Sequence, residues 1–109
     1  ARTLFALKDR PTAIFGSNDE IAAGVLAAAR TAGLNVPYDL SIAGFEDSPF
    51  SRQSWPALTT AHQSMETVAR HAGRLLIAQL REGDQGIRNE GYSPKLVVRG
   101  STAPPRPRG

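Results

Sequence analysis

The 109-residue sequence predicts an α/β fold, a parallel sheet with flanking helices. Three observations carry that prediction. Two short apolar runs, residues 13–16 and 41–45, are bounded by proline, glycine or polar residues and have the length of buried strands. Between them Ile21, Val25, Ala28, Ala29 and Ala32 recur at helical spacing, so the order reads strand, helix, strand. Both runs also end in polar side chains: Ser17, Asn18, Asp19 and Glu20 after the first, Glu46 and Asp47 after the second. Ligands of open parallel sheets bind beyond the carboxyl ends of the strands. Two strand ends that deliver such side chains predict one shared ligand mouth.

Composition narrows the classes. With 40% hydrophobic and 21% charged residues the chain can bury a core, as an ordinary globular domain does. The absence of cysteine excludes a disulfide scaffold, a thiolate metal site and a cysteine nucleophile, and fits a reducing, cytoplasmic setting. No apolar run approaches the ~20 residues that span a bilayer, and no signal peptide opens the chain, so no membrane partner is expected. The net charge of +3 is placed without a basic stripe, which argues against nucleic-acid contact by this segment.

Taken in order, residues 1–10 read as the last turns of a helix, stopped by Pro11, and the chain reads as a fragment of something longer. Ser17 and Glu20 fit a capping box at the start of the next helix, which Gly33 stops in a left-handed conformation while Leu34 folds back on its last turn. After the strand at 41–45 come a polar turn with Pro49, a segment ending at Trp55 and Pro56, and a second extended piece at 58–61. Residues 64–81 form a long helix with an apolar stripe of Met65, Val68, Ala69, Ala72, Leu76 and Leu80, ended by Gly83. Residues 83–94 read as a loop, 95–99 as a short strand, and the Pro- and Arg-rich end, 103–109, as a disordered tail.

Asn18 and Glu46 are the leading ligand candidates. An amide donates and accepts, and a carboxylate accepts from two hydroxyls at once, which suits a sugar or other polyol. The plainer alternative is that Asn18 caps the helix and that Glu46 and Asp47 are solvated loop charges. Ser17 lacks the setting of a nucleophile. His62 and His71 sit on different elements without a third ligand, so no metal is expected. Adjacent carboxylates on an extended strand point to opposite faces, which disfavours acid–base catalysis by Glu46 and Asp47. No cofactor and no catalytic residue are assigned.

Residues 11–49, PTAIFGSNDEIAAGVLAAARTAGLNVPYDLSIAGFEDSP, with the later pieces WPALTTAHQ and LVVRGSTAPP, resemble the C-terminal part of the LacI/GalR family of bacterial transcription regulators. The resemblance covers almost the whole chain. It implies a partial periplasmic-binding-protein-like (type I) fold, with 1–61 in the C-terminal lobe, 62–102 returning to the N-terminal lobe and 103–109 as tail. It implies an effector-binding, sugar-sensing part of a repressor, not an enzyme, whose operator DNA is read by an N-terminal helix-turn-helix absent from this chain. Asn18 matches an effector-binding asparagine, and Glu46 stands where the family usually has aspartate. Gln63 and Met65 match positions lining the cleft. Ala22, Ala23, Leu26, Phe50 and Trp55 match surfaces that build a homodimer. The alternative reading is a periplasmic sugar-binding protein of an ABC transporter.

Overall fold

The computed structural model describes residues 1–84, 86 and 88–107, which form two compact units: Ala1–His62 with Lys95–Gly109, and Gln63–Pro94. Expectations that fell on Gln85, Ile87, Arg108 and Gly109 lie outside the described residues. The elements in order are α1 (Arg2–Phe5), β1 (Ala13–Phe15), α2 (Asp19–Thr31), β2 (Ser41–Ala43), α3 (Pro49–Gln53), β3 (Thr60–His62), α4 (Met65–Glu82) and β4 (Lys95–Val97).

In the first unit β1 pairs in parallel with β2, Ile14 opposite Ile42. Single parallel bridges, Ala43 to Thr59 and Glu46 to His62, carry the sheet on to β3. β3 then pairs antiparallel with β4, Ala61 opposite Leu96. That ladder corrects the boundary expected at 62–102: residues 95–102 pack with the first unit, because the β3 edge needs a hydrogen-bonded neighbour and β4 supplies it.

The core is Ala22, Val25, Leu26 and Ala29 of α2 against Leu40, Ile42 and Leu58. This corrects the expected roll of the helix. Ile21 is half exposed, whereas Ala22 and Leu26, assigned above to a dimer surface, are fully used inside the core. β1 was expected to be buried, but Phe15 is 65% exposed because helices cover only one face of the sheet in this chain. The end of α2 follows the sequence closely. Gly33 takes φ +71°, its N–H reaches the Arg30 carbonyl at 3.1 Å, and Leu34 N–H reaches Ala29 at 2.9 Å, a Schellman stop.

α1 is a single turn, shorter than the helix expected over 1–10, and α3 is a helix where a turn was expected, with Pro49 in its first turn. The tail expected to be disordered is held through residue 107. Ala103 exchanges 3.0 Å hydrogen bonds with the Ser41 hydroxyl, and Arg106 pairs with Asp39 at 3.1 Å while lying over the Tyr38 ring. An arginine with both a carboxylate and an aromatic face to meet gains enough to hold a short tail.

In the second unit α4 is capped by Ser64, whose hydroxyl accepts from Thr67 N–H at 3.2 Å, and Gly83 ends it at φ +79°. None of its residues is buried, and Met65, Leu76 and Leu80 of the expected stripe are largely exposed. Among the described residues, Val68, Leu75 and Ala78 of this helix are only partly buried.

Two glycines make opposite predictions for stability. A Cβ on Gly16 would lie 2.7 Å from the Ala22 backbone nitrogen, so Gly16→Ala should destabilise the fold by about 1–3 kcal/mol. Gly24, inside α2, has open space around it, so Gly24→Ala should stabilise by about 0.5–1 kcal/mol. Urea midpoints of the two variants should move to opposite sides of the wild type.

Candidate functional site

The strand ends at which a ligand mouth is predicted lie in the first unit, and their geometry begins with Asp19. This residue opens α2, and its carboxylate is fully buried. Oδ1 accepts from the Thr60 hydroxyl at 2.6 Å and Oδ2 from Ser48 N–H at 2.7 Å, while Asp19 N–H donates to the Phe45 carbonyl at 3.0 Å. One residue thus locks the helix start to the loop after β2 and to β3. Gly44 lies against it so closely that a Cβ there would collide with the Asp19 carboxylate.

Asn18 precedes Asp19 and is the N-cap of α2, its Oδ1 accepting from Ile21 N–H at 2.8 Å. The cap therefore falls one residue after the Ser17 expected from the capping-box pattern. Capping occupies Oδ1 and leaves the amide NH₂ as the part of Asn18 that can serve a ligand. Glu46 stands at the same edge, next to the Phe45 carbonyl that Asp19 holds. Asn18 and Glu46 thus flank the backbone hydrogen bond between Asp19 and Phe45. Gln63 and Met65 belong to the other unit.

The chain turns sharply at the two carboxylates. Glu46 has φ +106° and Asp47 φ +57°, a left-handed region that non-glycine residues enter at a cost of about 1–3 kcal/mol each. Hydrogen bonds over-determine this turn. Glu46 N–H donates to the Ala61 carbonyl at 2.9 Å, Asp47 N–H to the Thr60 hydroxyl at 3.3 Å, and Ser48 N–H to Asp19.

The two acidic side chains then part. Asp47 is 11% exposed and is gripped by Arg99 at 2.6 Å, His62 Nδ1 at 3.0 Å, the Ser51 hydroxyl at 3.2 Å and Arg52 at 3.4 Å. Burial pushes its pKa up, but the Arg99 hydrogen bond and charge, joined by His62 and Ser51, outweigh that and hold the carboxyl below its usual range. Asp47 is thus a structural charge, and the expectation that it is a solvated loop residue is corrected. Glu46 is exposed, and among the described residues its carboxylate has no partner. Sequence reasoning missed the Asp47, Arg99, His62 and Ser51 cluster because its members lie as far as 52 residues apart. The only local signal was the adjacency of Glu46 and Asp47.

Of the residues assigned to a dimer surface, Ala22 and Leu26 are core, Ala23 is partly buried against that core, and Phe50 and Trp55 are 50% and 81% exposed. A cavity of about 390 Å³ lined by Phe5, Arg10, Tyr38 and Arg106 lies at the amino-terminal ends of β1 and β2. That is the end opposite to the one where such sheets bind ligands. No metal-binding group of three or more His, Asp or Glu occurs among the described residues, and no helix there is long and apolar enough to cross a membrane.

The depressed pKa of Asp47 has a signed consequence. Its stabilisation is present above the ordinary carboxyl range, near pH 4, and is lost as pH falls through the lower folded value. Asp47→Asn should therefore cost about 1.5–3 kcal/mol at pH 7, and the wild-type and variant unfolding midpoints should converge as the solution is acidified below about pH 4.

Residues 1–102 match the family described as a periplasmic binding protein-like domain. The HTH-type transcriptional repressor PurR of Mannheimia succiniciproducens is 40% identical over 98 residues, 90% of this chain and 29% of that protein. A transcriptional regulator LacI from Bacillus cereus subsp. cytotoxis superposes with a TM-score of 0.90 at 27% identity, over 94% of this chain and 36% of that one. A LacI family regulator from Lactobacillus casei, solved with bound sucrose, gives 0.77 at 30% identity, over 93% and 38%. The chain spans about a third of the length of these relatives. It belongs to the LacI/GalR family of transcriptional regulators, as part of their periplasmic-binding-protein-like domain.

Proposed function

We propose that this chain is part of the effector-sensing domain of a cytoplasmic LacI-type repressor, without catalytic activity, and that its effector is a carbohydrate or related polyol. The observation that carries this reading is Glu46. A carboxylate on a strained backbone that is unpartnered among the described residues, beside the closely held Asp19 and Asp47, supports a position kept for something outside the chain. Asn18, one residue before the buried anchor, supplies amide donors at the same edge. Gln63 and Met65 are kept as proposed effector contacts on the family resemblance alone. The sucrose-bound relative supports the ligand class, and the repressor relatives weigh against the transport reading.

The mechanism is linkage. An effector that prefers one arrangement of the regulator shifts its operator affinity by the difference in its own affinity for the two states. We assign DNA contact to a helix-turn-helix segment that this chain does not include. Dimerisation we assign to Phe50 and Trp55, which remain as exposed apolar surface once Ala22 and Leu26 are given to the core and Ala23 is partly buried against it.

Calorimetry of the full-length regulator with sucrose, cellobiose, glucose and ribose tests the site. Glu46→Gln should weaken the best ligand by about one to two decades with operator binding intact. Glu46→Asp should change which sugar binds best. Equal affinities across the three proteins would remove Glu46 from the site. Glu46→Gly separates site from scaffold: relief of φ +106° should raise stability by about 1 kcal/mol while sugar binding falls. In sedimentation, Trp55→Arg should shift the regulator from dimer toward monomer, and an unchanged dimer would place the interface elsewhere.

A further inference from the structure

We propose that His62 is a ligand-contacting residue of this mouth that helps select the hydroxyl pattern it accepts, with Asp47 as its positioning residue. The inference rests on the polyol reading of Glu46 and deepens it. His62 closes β3, and its backbone bridges in parallel to Glu46, so the two residues stand side by side at the strand ends. The imidazole is 48% exposed and only one of its nitrogens is tied down, Nδ1 at 3.0 Å from Asp47 Oδ2. Asp47 cannot turn away from that bond, because Arg99 and Ser51 hold its other oxygen.

The chemistry follows from that geometry. A carboxylate can only accept, so Nδ1 carries the proton, and in the neutral ring Nε2 presents a lone pair. Among the described residues nothing meets Nε2. A ring fixed by a carboxylate at one nitrogen and open at the other is the arrangement that aims an imidazole at a partner. The groups then available at the edge are complementary. Asn18 offers amide donors, Glu46 accepts from hydroxyls, and His62 Nε2 accepts from one more. Such a set distinguishes polyols by the spacing of three hydroxyl contacts, where Asn18 and Glu46 alone would read two. A site built to hydrogen-bond a hydroxyl discriminates strongly against an analogue without it, because its own polar group is then left unpaired.

The plain alternative is that His62 serves only to brace Asp47. Two variants of the full-length regulator separate the roles. His62→Asn can keep an amide donor toward Asp47 and loses the outward atom. His62→Gln can keep a polar atom near the Nε2 position and loses the Asp47 bond. Affinities for sucrose, cellobiose, glucose and ribose are measured by calorimetry, with thermal unfolding in parallel. A ligand contact predicts that His62→Asn binds the best sugar about ten-fold or more weakly with its melting temperature unchanged, and that the ranking of the panel shifts. His62→Asn binding within two-fold of wild type overturns the proposal, and so does a loss of affinity accompanied by a fall in melting temperature as large as that of Asp47→Asn. His62→Gln carries the bracing role: a lower melting temperature with affinity nearer to wild type than that of His62→Asn supports the assignment, and the reverse order of affinities overturns it. A wild type that binds none of the four sugars sinks the polyol reading itself. A wild type that binds, with His62→Asn binding equally well, sinks only the role of His62.

Discussion

The carboxylate of Asp19 is the constraint from which the rest of the first unit follows. A buried carboxylate is tolerable only where donors surround it, and here they come from two separate pieces of chain, the Thr60 hydroxyl and the Ser48 N–H, at the positive end of α2. Meeting that demand fixes the distance between the helix and the loop after β2, and it forces Gly44, where a side chain would occupy the space of the carboxylate. It also fixes the roll of α2. With Asp19 turned inward, Ala22, Leu26 and Ala29, three, seven and ten residues on, must turn inward too.

The same demand explains the two adjacent acids after β2. Once Ser48 N–H is committed to Asp19 and Glu46 N–H to Ala61, the backbone between them has little freedom, and both residues are driven to positive φ. The turn points one carboxylate at Arg99 and leaves the other outside. Adjacency in sequence therefore does not make Glu46 and Asp47 a functional pair. Asp47 is a partly buried ion-pair partner whose removal would leave Arg99 uncompensated. Glu46 is held in place by the backbone alone and is free to change its partner.

Features set by neighbours in sequence were legible in it. The stop at Gly33 and Leu34 needs only a residue at ease with positive φ followed by an apolar one, and both lie within one helical turn. The strand ends, and the placing of Asn18 and Glu46 at one sheet edge, were legible for a related reason, since alternating strand and helix fix which ends share an edge. The roll of α2 was not. Apolar periodicity gives a direction only when apolar and polar residues contrast, and five alanines and a glycine in a 13-residue helix blur that contrast. The inward residue that breaks the tie is an aspartate, which sequence reasoning places on the outside. The pairing of β3 with β4 and the ion pair of Asp47 with Arg99 join residues tens of positions apart and leave no local trace.

The two units show how differently a pattern and a packed structure weigh. α4 has the cleaner amphipathic sequence, with a cap, a glycine stop and a continuous apolar stripe, yet none of its residues is fully buried. α2 has five alanines and a glycine among its 13 residues and a poorly defined stripe, yet it holds most of the core. Propensity and capping suffice to form a helix, but burial needs a facing surface whose polar groups are already satisfied. In the first unit that surface is the sheet, and the polar groups at its end are closed by Asp19, Asp47 and Ser101, whose buried hydroxyl serves Thr59 N–H and the Ile42 carbonyl. Beside that closure stand groups without a hydrogen-bond partner among the described residues: the carboxylate of Glu46, the amide of Asn18, one nitrogen of His62 and the buried hydroxyl of Ser48. The closed network ends at the edge they occupy.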